Sequence, residues 1–279
     1  MSKEVVNKPD NAPAQQVPSF MQGRGGQGTE NLDRGDYEMP VIQLLQGISP
    51  QVLEEGCAAG QFYHSVAEKE LGTELRIVPL FVTTRYVLWN PLWDGGGILA
   101  RADDGKNWSP PMGEFEIHPT KGVKRSVTWT LKPTVAESGL GAWGSYDPED
   151  SNSPPAATYG YYIVVQLLDF PELSPAVIRM SRASIKMAKK FMAKLKISEA
   201  PSYGMIFKMS SWMDTNNDSQ QFMNYKFRAE GLIEDEDLFK TLESRYELFR
   251  SEGLDIKDEA KTQETAPNKA EADDGKGDF

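Results

Sequence analysis

Residues 71–91 read LGTELRIVPLFVTTRYVLWNP, and this run decides the fold class. Leu75, Ile77, Pro79 and Phe81 alternate with Arg76, Val78, Leu80 and Val82, and both sets are mostly apolar. A strand with one wet face alternates apolar and polar residues, whereas one covered on both faces reads as a continuous apolar run. The run therefore predicts a central strand, continued by Tyr86-Val87-Leu88-Trp89. Asp94-Gly95-Gly96-Gly97 supplies a turn, after which Ile98-Leu99-Ala100-Arg101 pairs back as a hairpin.

Further strands lie on either side of this run. Met39–Leu45 is a short apolar run punctuated by Gly47 and Pro50. Ser126–Leu131 alternates strictly, with Val127, Trp129 and Leu131 on one face. Residues 145–158 are rich in Pro, Asp, Ser and Asn and predict a loop with room to move. Tyr159–Phe170 and Pro175–Met180 are β-prone. Ser184–Ile197 predicts a helix with Ile185, Ala188, Met192 and Leu195 as its apolar stripe. Ser181 or Ser184 is the expected cap, and Lys186, Lys190 and Lys194 lie on another face. Ser202–Met213 and Gln221–Glu230 predict a hairpin about a polar turn. One face carries Met223, Tyr225 and Phe227, the other Lys208, Trp212, Lys226 and Arg228. A last helix over Glu234–Ser251 buries Leu238, Leu242, Tyr246 and Phe249. The fold class expected is α+β and β-rich: an OB-like five-stranded barrel with helical additions and disordered termini. Residues 1–36 form a polar leader, 37–253 the domain and 254–279 an acidic tail.

Charge is unevenly spread. The chain carries −11 overall, but sixteen of its acids, against seven bases, fall in residues 230–279. Between Ala176 and Trp212 eight lysines and arginines face only Glu199. A basic segment followed by an acidic end points to nucleic-acid contact. Enzyme signatures are missing from the sequence. It holds no P-loop and no nucleophile elbow, and its only histidines, His64 and His118, lie outside any metal-ligand spacing. No cofactor and no catalytic residue are expected. The pairs Asp103/Asp104 and Glu114/Glu116 read as solvated surface. Cys57 alone excludes an internal disulfide framework. No apolar span or export signal is seen, which suits the cytoplasm.

Sequence-tolerant binding of single-stranded DNA needs cations along a groove and rings on which bases stack. Arg85, Tyr86, Trp89 and Trp93 bring cation and rings together, as do Lys124, Arg125 and Trp129. Arg179, Arg182, Lys186, Lys189 and Lys190 form the basic segment. Lys208, Trp212, Lys226 and Arg228 share the hairpin face. All sixteen are expected DNA contacts, with Trp212 foremost among the rings. A tethered acidic tail would compete with DNA for such a groove. Its end, with Asp273, Asp274, Asp278 and Phe279, suits a pocket with a greasy slot and a basic rim.

The layout of residues 40–253, the strand-to-basic-helix run Pro175–Lys190 and the tail ending Asp278-Phe279 together resemble phage single-stranded DNA-binding proteins of the T7 type. That resemblance implies an OB barrel, DNA coating during replication or recombination, and contact with a phage polymerase or helicase. A homo-oligomer is compatible with it. A phage structural or assembly protein, and a metal-dependent nuclease, are the alternatives.

Overall fold

The computed structural model describes residues 27–29, 31, 38–216 and 219–253. The expected leader lies almost wholly outside these residues, and the tail entirely so. The chain divides into two units, 1–37 and 38–279. The second holds the elements below.

In chain order these are β1 (Val41–Leu44), α1 (Pro50–Leu53), β2 (Phe62–His64), β3 (Lys69–Glu70), β4 (Glu74–Trp89), β5 (Ile98–Ala102), β6 (Gly113–Ile117), β7 (Val127–Leu131) and α2 (Val135–Ser138). There follow β8 (Ala157–Leu167), β9 (Ala176–Ser181), α3 (Ile185–Ile197), β10 (Met205–Thr215), β11 (Gln221–Leu232) and α4 (Glu236–Glu252). Nine strands form one sheet in the order β11-β10-β4-β8-β9-β1-β2-β3, with β5 also on β4; β6 and β7 pair separately. All pairings are antiparallel except β1 with β9. The protein is thus β-rich α+β, its sheet curled into a half-barrel. The sheet has more strands than the five expected.

β4 is central, as its composition requires, but the faces are not those of simple alternation. Its ladder with β8 slips between Pro79 and Phe81, and its ladder with β10 stops at Ile77. Proline has no N–H to donate and is tolerated in sheets at bulges and edges. The extra residue reverses the parity of everything after it. Leu75 and Ile77 face the inner core, and Val82 packs there too. Phe81, expected on the same face, packs instead in the outer cluster with Val78 and Leu80.

Three cores result. The inner one lies inside the curl, where α3 inserts Ala188 and Phe191. Phe191 stacks on Phe227 with centroids 4.1 Å apart and meets Phe207 edge-on at 4.9 Å. The expected stripe missed Phe191; of its members only Ala188 is buried. Neither expected serine caps this helix. Ser184 already has helical φ and ψ, whereas a capping residue needs extended ones. The outer core lies under α4, through Leu242 and Phe249. Asp235 caps α4 by accepting from Asp237 N and Leu238 N at 2.9 and 3.0 Å. The third core gathers Trp108, Ile117, Trp129, Leu131 and Leu140 around the far end of β4, forming a lobe with β5 to β7 and α2. Residues 145–156 are pinned onto this lobe. The Ser145 hydroxyl donates to Leu140 O at 2.8 Å, and Trp129 Nε1 donates to Tyr146 O at 3.2 Å.

The curl brings β11 to the end of β1, and a side chain spans the gap. Gln46 Nε2 donates to Met223 O at 3.0 Å, while Met223 N donates to Gln46 Oε1 at 2.8 Å. The carboxamide thereby makes the two bonds a strand residue would make. Gly60 lets the neighbouring turn approach: its φ is +90°, and a Cβ there would stand 2.6 Å from Met223 Cε. Replacing Gln46 by Ala leaves two main-chain groups of β11 without this partner. It should cost about 1–3 kcal/mol, read as a lower urea midpoint; an unchanged midpoint would show that the bridge carries no stability.

His64 ties β2 to the turn Pro171–Leu173. Its Nδ1 accepts from Ala67 N at 2.9 Å, so the proton resides on Nε2, which donates to Leu173 O at 3.1 Å. Burial lowers its pKa below the ordinary 6.5. The unfolded chain therefore binds this proton more readily. The neutral ring's contribution is present above pH 6.5 and is lost as pH falls from there through the lower folded value. The stability gap between the native protein and His64→Gln should accordingly narrow on acidification below that pH. A gap that widens or stays constant in denaturant titrations contradicts the assignment.

Candidate nucleic-acid interface

Between the inner core and the lobe, the inner face of β4 and β8 is only partly covered. Thr84 pairs with Tyr161 and Tyr86 with Tyr159 across the ladder, and all four side chains are half-buried. Tyr161 packs against the inner core and Tyr86 against the lobe. Neither core reaches across, so the middle of the two strands is floored by tyrosines. Tyr86 and Tyr159 have centroids 4.9 Å apart, and Tyr159 and Tyr161 5.4 Å. Burial, followed by hydrogen bonding with Tyr161, pushes the Tyr159 pKa up to about 12. Its phenol stays neutral and repels no phosphate.

One wall is basic. β9 ends at Ser181, opposite Gly160 of β8. Arg182 follows with φ +50°, a left-handed conformation uncommon for a residue with a side chain. The turn Arg182–Ser184 contacts β8 and leads into α3. Arg182, Lys186, Lys189 and Lys190 are exposed around an open depression of about 620 Å³. The sequence of α3, IKMAKKFMAKLKI, contains no acid. Like charges four apart on a helix destabilise it by about 0.2–0.5 kcal/mol per pair, and Lys186/Lys190 is such a pair. Lys194 lies on another side and donates to Phe227 O. At the lobe end of the floor, Lys106 and Tyr86 line a second cavity of about 550 Å³.

The sixteen expected contacts are distributed unevenly. Tyr86 belongs to the tyrosine floor, while Arg182, Lys186, Lys189 and Lys190 lie on the exposed side of the turn and helix that pack on β8 and line a depression of their own. Arg85 does not: it is 1 % exposed, pairs with Asp103 at 3.3 Å and lies over the Tyr162 ring of the outer core. Trp129 is 1 % exposed, so it cannot stack on a base. The strict alternation of its strand marked it as core. Arg125 is held by Asp147 and by Glu149, the latter at 2.8 Å. Trp89 is half-buried, Trp93 exposed with Nε1 on His118 O at 2.8 Å, and Lys124 exposed; all three lie away from the floor, at the lobe. Arg179 is half-buried opposite Tyr162.

The hairpin face gathers the expected residues. Lys208 pairs with Arg228, Ser210 with Lys226 and Trp212 with Asn224. Carboxylates balance only part of it: Lys226 and Arg228 are exposed and form no ion pair among the described residues. Lys208 bonds Glu74 at 2.5 Å, Arg76 beside it holds Asp169 at 2.7 Å, and Asn224 donates to Asp214 at 2.9 Å. A charge already matched in this way gains less from a phosphate, so Lys208 is a weaker contact than its own sequence suggests, while Lys226 and Arg228 keep theirs unmatched. Tyr159, Tyr161 and Lys106 were missed. The signal was the Tyr-Gly-Tyr spacing inside an otherwise apolar run, which reads as core until the gap between the two cores is visible.

Asp104 accepts from Lys106 N and Asn107 N, each at 2.7 Å. Among the described residues, no three of His, Cys, Asp and Glu gather where they could hold a metal ion. No described helix is long and apolar enough to cross a membrane. Asp273, Asp274, Asp278 and Phe279 lie outside the described residues.

A family model described as Pam3 phage gp34-like protein matches residues 9–255, so the chain belongs to that family. No curated protein and no solved structure matches it.

Proposed function

For this member of the Pam3 phage gp34-like family, we propose sequence-tolerant binding of single-stranded DNA during phage replication or recombination, without chemistry on the strand. The observation that supports it is the tyrosine floor beside the acid-free α3. Bases stack on the rings of Tyr86, Tyr159 and Tyr161, each stacked base contributing about 1–3 kcal/mol. Phosphates run along Arg182, Lys186, Lys189 and Lys190. Every base has a π face, and none of these side chains is arranged to read a base edge, so the reading is indifferent to sequence. In this reading the curled part of the sheet is an elaborated OB-like barrel. The acidic residues 254–279 compete with the strand and, when displaced, offer Phe279 to a phage polymerase or helicase in the host cytoplasm.

The test is fluorescence anisotropy of a labelled oligothymidylate across a salt series. Four phosphate contacts give a log–log slope of about −3 with single-stranded DNA. Lys189→Glu with Lys190→Glu should weaken binding at every salt concentration and flatten the slope by about 1.4. Tyr161→Leu keeps the apolar packing and removes the ring; it should weaken binding about tenfold while leaving the slope alone. No binding of the unmodified protein at low salt would dispose of the proposal. Binding that ignores all three substitutions would move the site elsewhere.

A further inference from the structure

We infer that the Tyr86 cavity takes a single nucleotide of the bound strand, its base against the tyrosine and its phosphate at Lys106. The inference rests on the single-stranded DNA reading and adds a discrete subsite to it.

The cavity's volume of about 550 Å³ lies within the range of small-ligand sites. Its wall is built from Tyr86, Lys106, Thr134, Ala136, Gly141 and Ala142, among other small residues. Gly141 keeps the tyrosine accessible: a Cβ there would stand 3.0 Å from Tyr86 Cε1 and 3.5 Å from Cζ. The opposite rim is fixed by the main chain. Lys106 N donates to the Asp104 carboxylate at 2.7 Å, and Val135 N donates to Lys106 O at 2.8 Å. The lysine's backbone is thus anchored while its exposed side chain forms no ion pair among the described residues.

The nearby acids are not in the lining and are engaged in hydrogen bonds of their own. Glu137 accepts from the Thr134 hydroxyl at 2.8 Å and from Thr134 N at 3.1 Å. Asp104 is occupied by Lys106 N and Asn107. Lys106 is therefore the only charge in the cavity's lining. A small-residue wall, one aromatic ring and one ammonium suit a flat, weakly polar group attached to an anion, which is the chemistry of a nucleotide. The cavity also continues the floor, because Tyr86 lies 4.9 Å from Tyr159. A strand lying on the tyrosines reaches this cavity with no turn of its own.

Two exposed lining residues allow a test without disturbing a core. Lys106→Glu reverses the charge, and Ala142→Gln fills the space. Each should weaken oligothymidylate binding about tenfold, the loss of one stacked base or its phosphate. Lys121→Glu makes the same change of charge on the exposed lobe outside the cavity and should have a much smaller effect. Unfolding midpoints of the three variants show that each is folded. In parallel, an oligothymidylate carrying 4-thiothymidine is crosslinked by light, and the adducts are mapped by mass spectrometry. Adducts on Tyr86 or within 134–142 support the subsite. Binding that stays as tight as in Lys121→Glu, with adducts confined to β8 and α3, overturns the subsite and leaves the strand-binding proposal standing. If the unmodified protein binds no oligothymidylate, both fall together.

Discussion

A missing hydrogen-bond donor shapes this molecule. Pro79 sits in the middle of β4, the strand that every large part of the sheet depends on, and it has no N–H to contribute. The chain accommodates it by slipping the ladder with β8 at that point, just past the last pair with β10. One extra residue reverses the parity of the rest of the strand. Before it, Leu75 and Ile77 point into the curl; after it, Val82, Tyr86 and Leu88 do. The same strand thus serves two cores in succession.

Two cores on one face leave a seam. α3 covers the near part of the sheet and the lobe covers the far part, each closing over its own apolar set. The residues at the seam must tolerate partial wetting, and tyrosine does so better than phenylalanine, since its ring packs while its hydroxyl meets water or another hydroxyl. Tyr86, Tyr159 and Tyr161 meet that requirement, with Thr84 among them. The seam is therefore a consequence of how the cores divide before it is anything functional. The platform role we propose for it rests on its neighbours, the acid-free α3, which contacts β8, and Lys106, which shares a cavity with Tyr86.

The sequence made the class of fold legible because β4, β8 and β9 are apolar on both faces, and only a central position explains that. It made the hairpin and its two faces legible because Asp214 to Ser219 is a polar turn between two alternating runs. Pairings between distant segments were not legible. That Glu74 would lie beside Lys208, or Asp169 beside Arg76, depends on β10 finding β4 and on β8 ending where it does. Arg85 illustrates the limit from the other direction. Adjacent in sequence to Tyr86, it looks like half of a cation–aromatic pair for DNA. On a strand, however, neighbours point to opposite faces, and Arg85 is carried into the outer core while Tyr86 stays at the seam.

The two basic surfaces differ in how far their charge is already matched. Coulomb attraction to a phosphate adds most where a cation has no carboxylate within a few ångströms, because an ion pair must first be loosened before it can be exchanged. Lys208 and Arg76 each hold a carboxylate already, which leaves Lys226 and Arg228 as the unmatched cations of the hairpin. On α3 the lysines repel one another and have no acid on their own helix to offset it. The protein tolerates that repulsion on the helix which fills its curl through Phe191, an element it cannot do without. An anion lying along Arg182, Lys186, Lys189 and Lys190 would relieve it, and binding there would stabilise the helix that shapes the site.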